Sequence, residues 1–150
     1  MKQEKILNLS KILLTIGALE FFGPIARDTN SSHLLNDAWA GHARFHLMWT
    51  IGLWGSMGLY SIYLLWGKKD LRIKDLYTCL ILQVMNAIGF WLSVLLASTY
   101  SGDIFDANIH VGILNINENI FVFSVLSTLL LINFTILKRV IEPNFKEVNV

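Results

Sequence analysis

The chain alternates between long apolar stretches and shorter polar ones. Four apolar stretches of about 20 residues each cover roughly residues 6–26, 47–66, 76–98 and 119–137. A helix of this length crosses the roughly 30 Å hydrocarbon core of a bilayer, and helices are expected because lipid offers the backbone no hydrogen-bond partner. The pattern predicts an all-α, integral membrane four-helix bundle, folded as a single membrane domain over residues 1–150.

The composition supports this prediction. Hydrophobic residues make up 54% of the 150 residues and charged residues 15%, whereas soluble domains carry about 25% charged residues. The net charge of +1 does not suggest a nucleic-acid partner. The single cysteine, Cys79, excludes an intrachain disulfide framework and a cysteine-rich zinc site. The first stretch is expected to be a retained span, because bulky residues follow it instead of a signal-peptide cleavage site.

The basic residues predict how the spans are oriented. Most of the lysines and arginines lie in the N-terminal region, in the loop after the second span and in the C-terminal tail. The positive-inside rule then places both termini in the cytoplasm and loops 27–46 and 99–118 outside. If the cell is bacterial, the membrane is the cytoplasmic membrane and these loops face the periplasm.

All four histidines lie in or beside the two outer loops. His42 and His46 are four residues apart, so a helix that begins near Gly41 would place both on one face. Helices present two ligands to one metal ion with this spacing, and zinc or iron would suit histidine and carboxylate ligands. The candidate ligands are His33, His42, His46, Asp37, His110 and Glu118. A metal-free role in acid–base chemistry or substrate binding, and a structural role at the interface, remain open alternatives.

Glu20 is the candidate catalytic residue inside the membrane. It lies in the outer third of the first span, where a carboxylate is costly and by default suggests function. Glu20 would act as acid or base, and His42 and His46 would bind metal or shuttle protons. The structural alternative is a residue at headgroup level that reaches the interface.

Other polar and aromatic residues are candidates for binding a substrate. Arg44 would hold an anionic group, and Trp54 and Trp91 would line a cavity for a flat or oily ligand, although core packing is the default role of such tryptophans. The full candidate set is Arg44, Trp39, Asp28, Asn30, Trp54 and Trp91. Asp28 and Asn30 could also cap a turn of the first outer loop. The expected partner is a membrane lipid or another lipophilic small molecule.

Several residues within the spans suggest contacts between helices. Gly52, Gly55 and Gly58 form a strip on which another helix can approach closely, including a helix of a second copy in a homo-oligomer. Gln83, Asn86 and Asn133 are expected to bridge helices by hydrogen bonds. The same three residues are also the only hint of a transporter, which should carry polar groups through the depth of the membrane.

The first outer loop resembles part of a known family. Its sequence DTNSSHLLNDAWAGHARFH is similar to the first outer loop of a family of small, four-span bacterial membrane proteins of unknown function. The matching residues are Asp28, Asn30, Ser32, His33, Asn36, Trp39, His42, Ala43, Arg44, Phe45 and His46. The resemblance implies no known activity. A more distant similarity in type links Glu20 and the histidines to the sterol isomerase and sigma-2 receptor superfamily, which binds or protonates lipophilic ligands.

These observations predict a small membrane enzyme with its site at the outer end of the bundle. Its substrate would be a lipid, a quinone, a sterol-like compound or another oily molecule, changed by metal-assisted or acid–base chemistry. The alternatives are a non-catalytic protein that binds a lipid or small molecule, a small transporter, and a scaffold subunit.

Overall fold

The computed structural model describes residues 2–105, 113 and 116–145. These residues are almost entirely helical, and no strand is formed among them apart from an isolated bridge between Ile113 and Ile116. The helices are α1 (Lys2–Leu19), α2 (Gly23–Asp28), α3 (Gly41–Ile62), α4 (Ile73–Leu96) and α5 (Glu118–Ile136). π-helical turns extend α3 over Tyr63–Gly67 and α5 over Leu137–Ile141. The predicted all-α class is confirmed for the described part of the chain.

Three helical segments in the described residues are long and apolar enough to cross a bilayer. They are Gln3–Asp28, Ile73–Thr99 and Glu118–Asn144, and only 28%, 22% and 22% of their most apolar windows are buried inside the protein. Because most of this apolar surface faces outward, it requires an apolar solvent, which indicates a membrane protein. Helix α3, whose apolar run is interrupted by glycine, serine and aromatic residues, is not among the three, so the fourth span stays a prediction.

Contacts of the first helical segment (α1 and α2) with α5 and the chain just beyond it define two ends of the bundle. Gln3 Nε2 donates a hydrogen bond to the carbonyl of Asn144 (2.6 Å), which joins the start of α1 to the chain beyond α5. At the opposite end, Arg27 pairs with Glu118 at the start of α5. Helices α1 and α5 are therefore antiparallel. We call the first of these the terminal end and the second the loop end.

The buried apolar core is centred on the terminal half of the bundle. Its main cluster consists of Leu14, Leu64, Leu65, Leu76, Cys79, Leu80, Ala87, Leu130, Leu137 and Ile141. Most of these residues lie in the last turns of α3 and α5 or the first turns of α4. Asp75 closes this end, because its carboxylate accepts hydrogen bonds from Lys68 Nζ (2.6 Å) and from the Arg72 backbone N–H (2.8 Å), which caps α4.

Two of the three glycines of the predicted strip, Gly55 and Gly58, pack against other residues of the same chain. A Cβ atom at Gly58 would lie 2.7 Å from Cζ of Phe22, and one at Gly55 would lie 3.2 Å from Cδ1 of Ile25. These glycines therefore let the end of α1 and α2 approach α3 closely. Around Gly52, nothing in the described structure would lie within 4 Å of such an atom. A homo-oligomer contact through this strip stays a prediction.

Candidate functional site

The first predicted span is interrupted where Glu20 lies. Pro24 has no backbone N–H, so the Glu20 carbonyl cannot receive the usual α-helical hydrogen bond from four residues along the chain. The Gly23 N–H binds that carbonyl instead, and residues Glu20–Phe22 form a 3₁₀ turn between α1 and α2. The prolyl residue thus sets the local geometry around the carboxyl group.

The Glu20 carboxyl group is held at one oxygen only. Asn86 Nδ2 of α4 donates a hydrogen bond to Oε1. Oε2 is buried and has no hydrogen-bond partner among the described residues. A buried carboxyl oxygen without a partner carries a desolvation cost, and natural structures contain few such groups. Glu20 is therefore positioned by α4 and retains one oxygen with which to bind or exchange a proton.

His42 and His46 meet at the start of α3. The helix begins at Gly41, as expected, and the two Nε2 atoms are 3.0 Å apart, so one ring donates a hydrogen bond and the other accepts it. Both residues are exposed. Two nitrogens bound to one tetrahedral zinc ion are about 3.3 Å apart. The observed separation is thus close to that of a metal-binding pair, and the predicted juxtaposition of these two side chains is confirmed.

The other predicted metal ligands do not complete a cluster with this pair. Within residues 2–105, 113 and 116–145, no group of three or more His, Cys, Asp or Glu side chains is arranged to hold a metal ion. His110 lies outside the described residues. Zinc or iron binding therefore stays a prediction.

The loop between α2 and α3 is organised by Asn30. Its Oδ1 accepts hydrogen bonds from the backbone N–H groups of Ser32 (2.8 Å) and His33 (3.2 Å), and its Nδ2 donates to the Arg27 carbonyl (2.5 Å). The expected capping role of Asn30 is confirmed, and both ends of its amide are engaged in holding the loop. His33 is further held by Ser32 Oγ, 2.7 Å from its Nδ1, and its ring meets Trp39 edge to face at 5.7 Å.

Two ion pairs and a backbone hydrogen bond involve the remaining charged candidates of the loop end. Arg44 Nη1 lies 3.3 Å from Oδ1 of Asp37, whose side chain is fully exposed. Exposed pairs of this kind contribute about 0–1 kcal/mol, so an anionic ligand could compete for Arg44. Glu118, predicted as a metal ligand, pairs with Arg27, and the Asp28 carbonyl accepts the Leu34 N–H at 3.0 Å.

The two candidate tryptophans of the spans lie on different helices. Trp91 of α4 donates from Nε1 to Ser127 Oγ of α5 (3.0 Å). Beside it, the rings of Phe90 and Phe123 stack at 3.7 Å. These contacts place Trp91 at the α4–α5 interface. Trp54 is half-buried on α3.

Glu20 and the histidine pair form two separate places in the molecule. Gly58 of α3 lies beside the turn that carries Glu20, because a Cβ atom there would be 3.2 Å from Cβ of Phe21. His46 precedes Gly58 by 12 residues on the same helix, which corresponds to about 18 Å. The two places are therefore separated by about 18 Å along the axis of α3.

Sequence reasoning missed the residues of α1 that meet the polar residues of α4 and α5. Ser10 Oγ donates to Asn133 Oδ1 (2.7 Å), and Gln83 Nε2 donates to the Leu14 carbonyl (2.8 Å), both in buried positions. Gln83 and Asn133 bridge helices as expected. The available signal was the spacing of Ser10, Gly17 and Glu20 along one face of α1.

Comparison of the chain with protein-family models, with curated proteins and with solved structures finds no match. The resemblance of the first outer loop to a family of four-span membrane proteins therefore stays a prediction. The arguments for function rest on the contacts described above.

Proposed function

We propose that the chain is a four-span integral membrane protein with both termini in the cytoplasm, and that it is an enzyme acting on a lipophilic substrate at Glu20. The substrate would be a lipid, a quinone, a sterol-like compound or another oily molecule that enters from the bilayer. The observation that carries this proposal is the carboxyl group of Glu20, bound by Asn86 at one oxygen and buried without a partner at the other.

The proposed chemistry is a proton transfer between Glu20 and the substrate. In its acid form Glu20 gives a proton to the substrate, and the carboxylate left behind keeps the hydrogen bond from Asn86. In the reverse direction the carboxylate removes a proton. Asn86 is uncharged and cannot exchange the proton itself at neutral pH, so its role is to position the carboxyl group.

A lipophilic molecule has an apolar approach to Glu20. Neighbouring side chains of α1 face outward, with Ile16 45% and Leu19 56% exposed, and Glu20 itself is only half-buried. A substrate dissolved in the bilayer would therefore meet α1 without crossing water.

The His42–His46 pair would act separately, at the outer surface. If it holds a metal ion, the pair would take part in metal-assisted chemistry. Without a metal ion, it would exchange protons with external water. The distance of about 18 Å along α3 excludes direct transfer between this pair and Glu20. Arg44 would bind an anionic headgroup in exchange for its exposed pairing with Asp37.

The proposal is tested by deuterium incorporation. Wild type, Glu20→Gln and Glu4→Gln are assembled in nanodiscs with the total lipid extract of the expression host, incubated in heavy water and analysed by liquid chromatography and mass spectrometry. Glu4 is the matched control, because it is an exposed carboxylate on the same helix. A lipophilic species should gain deuterium or change mass with wild type and Glu4→Gln, and remain unchanged with Glu20→Gln.

Other outcomes separate the alternatives. If a lipophilic species co-purifies unchanged with wild type and is lost with Glu20→Gln, the protein is a non-catalytic binding protein and not an enzyme. If wild type neither retains nor changes any species relative to Glu20→Gln, the proposal is wrong, and a scaffold subunit becomes the better interpretation.

A further inference from the structure

A line of buried polar contacts runs along one face of α1. Towards the terminal end, Ser10 Oγ donates to Asn133 Oδ1 of α5 at 2.7 Å. Further along, Gln83 Nε2 of α4 donates to the Leu14 carbonyl at 2.8 Å. The line ends at the carboxyl group of Glu20. We call these five groups the polar line.

The spacing along α1 keeps the polar line on one face. Ser10, Leu14, Gly17 and Glu20 are separated by four, three and three residues, which is the spacing of one helix face. From Ser10 to Glu20 the rise is about 15 Å, or half of the roughly 30 Å hydrocarbon core. Gly17 matters because a side chain there would occupy the position of Gln83 Oε1.

Each partner on the polar line retains an unused hydrogen-bonding atom. Asn133 Nδ2, Gln83 Oε1 and Glu20 Oε2 are buried and have no partner among the described residues, and Asn133 and Gln83 are 1% and 0% exposed. If the two amides served only to join helices, each would be expected to use both its donor and its acceptor. The unused atoms therefore point to a second role.

The rise of α1 is on the scale of water-mediated connections. Two hydrogen bonds through one water molecule span about 5.6 Å, and one turn of a helix rises about 5.4 Å. Polar groups one turn apart on α1 can therefore be joined by single water molecules, which need two to four polar partners each. Asn133 meets α1 at Ser10, Gln83 meets it at Leu14 and beside Gly17, and Glu20 follows three residues after Gly17.

We propose that the polar line conducts protons between the terminal side of the membrane and Glu20, so that the protein transfers protons across the bilayer. A proton enters from water at the terminal end, passes along bridging waters held by Ser10, Asn133 and Gln83, and converts the Glu20 carboxylate to the acid. Release to water at the loop end restores the carboxylate. Each passage moves one positive charge, which a counter-ion must balance. This inference goes beyond the proposed function, because it holds whether or not a substrate is changed at Glu20.

The test uses the full chain in vesicles of phosphatidylethanolamine and phosphatidylglycerol. A potassium gradient with valinomycin supplies the driving potential and the balancing charge, and pyranine inside the vesicles reports the proton flux. The proton flux with wild type should exceed the flux into protein-free vesicles, and the flux with Glu20→Gln should equal that of the protein-free vesicles. Asn133→Leu and Gln83→Met should each reduce the flux by about tenfold, the effect of losing one charge-stabilising hydrogen bond.

Two controls separate conduction from helix packing. Thr135→Val removes an exposed hydroxyl from the same helix as Asn133, where it bonds only to the Leu131 carbonyl in the described structure (2.9 Å), and it should leave the flux unchanged. Asn133→Ser keeps a polar group that can hold water and should retain more flux than Asn133→Leu. If a leucine or methionine variant does not fold, as judged by circular dichroism and gel filtration, the serine variant and Glu20→Gln still decide the question.

Three results would overturn the inference: wild-type flux equal to that of protein-free vesicles, Glu20→Gln with wild-type flux, or Asn133 and Gln83 variants that fold and conduct like Thr135→Val. The deuterium assay distinguishes this failure from failure of the proposed enzyme. Asn133→Leu lies away from the carboxyl group and should still support substrate conversion while its proton flux is reduced.

Discussion

The contact between Gly17 and Gln83 allows a prediction with a defined sign. A Cβ atom at Gly17 would overlap Oε1 of Gln83 and lie 2.9 Å from its Cδ, whereas ordinary contacts are 3.4–4 Å. Gln83 is 0% exposed, so its amide cannot move into solvent. Gly17→Ala should therefore displace the amide and break the hydrogen bond of 2.8 Å from Nε2 to the Leu14 carbonyl.

Two opposing effects set the magnitude for Gly17→Ala. Alanine is the better helix former by about 1 kcal/mol, which favours the variant. A buried amide that loses its partner costs about 1–3 kcal/mol. The net expectation is a destabilisation of about 0–2 kcal/mol, measured as the change in free energy of unfolding when the protein in mixed micelles is titrated with sodium dodecyl sulfate and followed by circular dichroism.

A matched glycine and a double variant make this prediction refutable. Gly89 lies in the interior of α4, and nothing in the described structure would lie within 4 Å of an added Cβ atom, so Gly89→Ala should stabilise the protein by about 1 kcal/mol. In a Gln83→Met background, Gly17→Ala should lose most of its penalty, because the flexible thioether can move and has no amide to leave unpaired. If Gly17→Ala stabilises as much as Gly89→Ala, the packing of Gln83 against α1 is wrong.

Two further predictions concern the ends of the bundle. At the terminal end, Asp75→Ala removes the cap of α4 and the partner of Lys68, and it should lower the free energy of unfolding by about 1–2 kcal/mol. The control Asp70→Ala, in an exposed position, should change the free energy of unfolding by less than about 0.5 kcal/mol. Equal effects of the two variants in the same titration would refute the capping role of Asp75. At the loop end, wild type purified without chelator should carry zinc or iron in a fixed ratio to protein, as measured by plasma mass spectrometry, and His42→Ala should lose it. Wild type without bound metal would refute the metal site, and retention of metal by His33→Ala would exclude His33 as a ligand.

Local features of the candidate site could be predicted from the sequence because neighbours along a helix determine them. His42 and His46 come together because four residues make about one turn, and this pairing needs no partner from another helix. The start of α3 at Gly41 and the capping by Asn30 are equally local. The interruption after Leu19 was also encoded locally, since Pro24 removes the donor for the Glu20 carbonyl, whereas the apolar pattern alone indicates only a stretch over roughly residues 6–26.

The sequence by itself thus determined the all-α class, the apolar character of the long helices, and the choice of candidate site residues. Only the tertiary structure decided which polar groups meet: Glu20 with Asn86, and Ser10 with Asn133, pairs that are 66 and 123 residues apart. It also separated Glu20 from His46. The physical reason is that apolar periodicity gives the depth of a residue along a helix, whereas its partners depend on which helices pack side by side and at what rotation. In lipid, small residues and buried hydrogen bonds largely set that packing, because apolar surface gains little by leaving an apolar solvent.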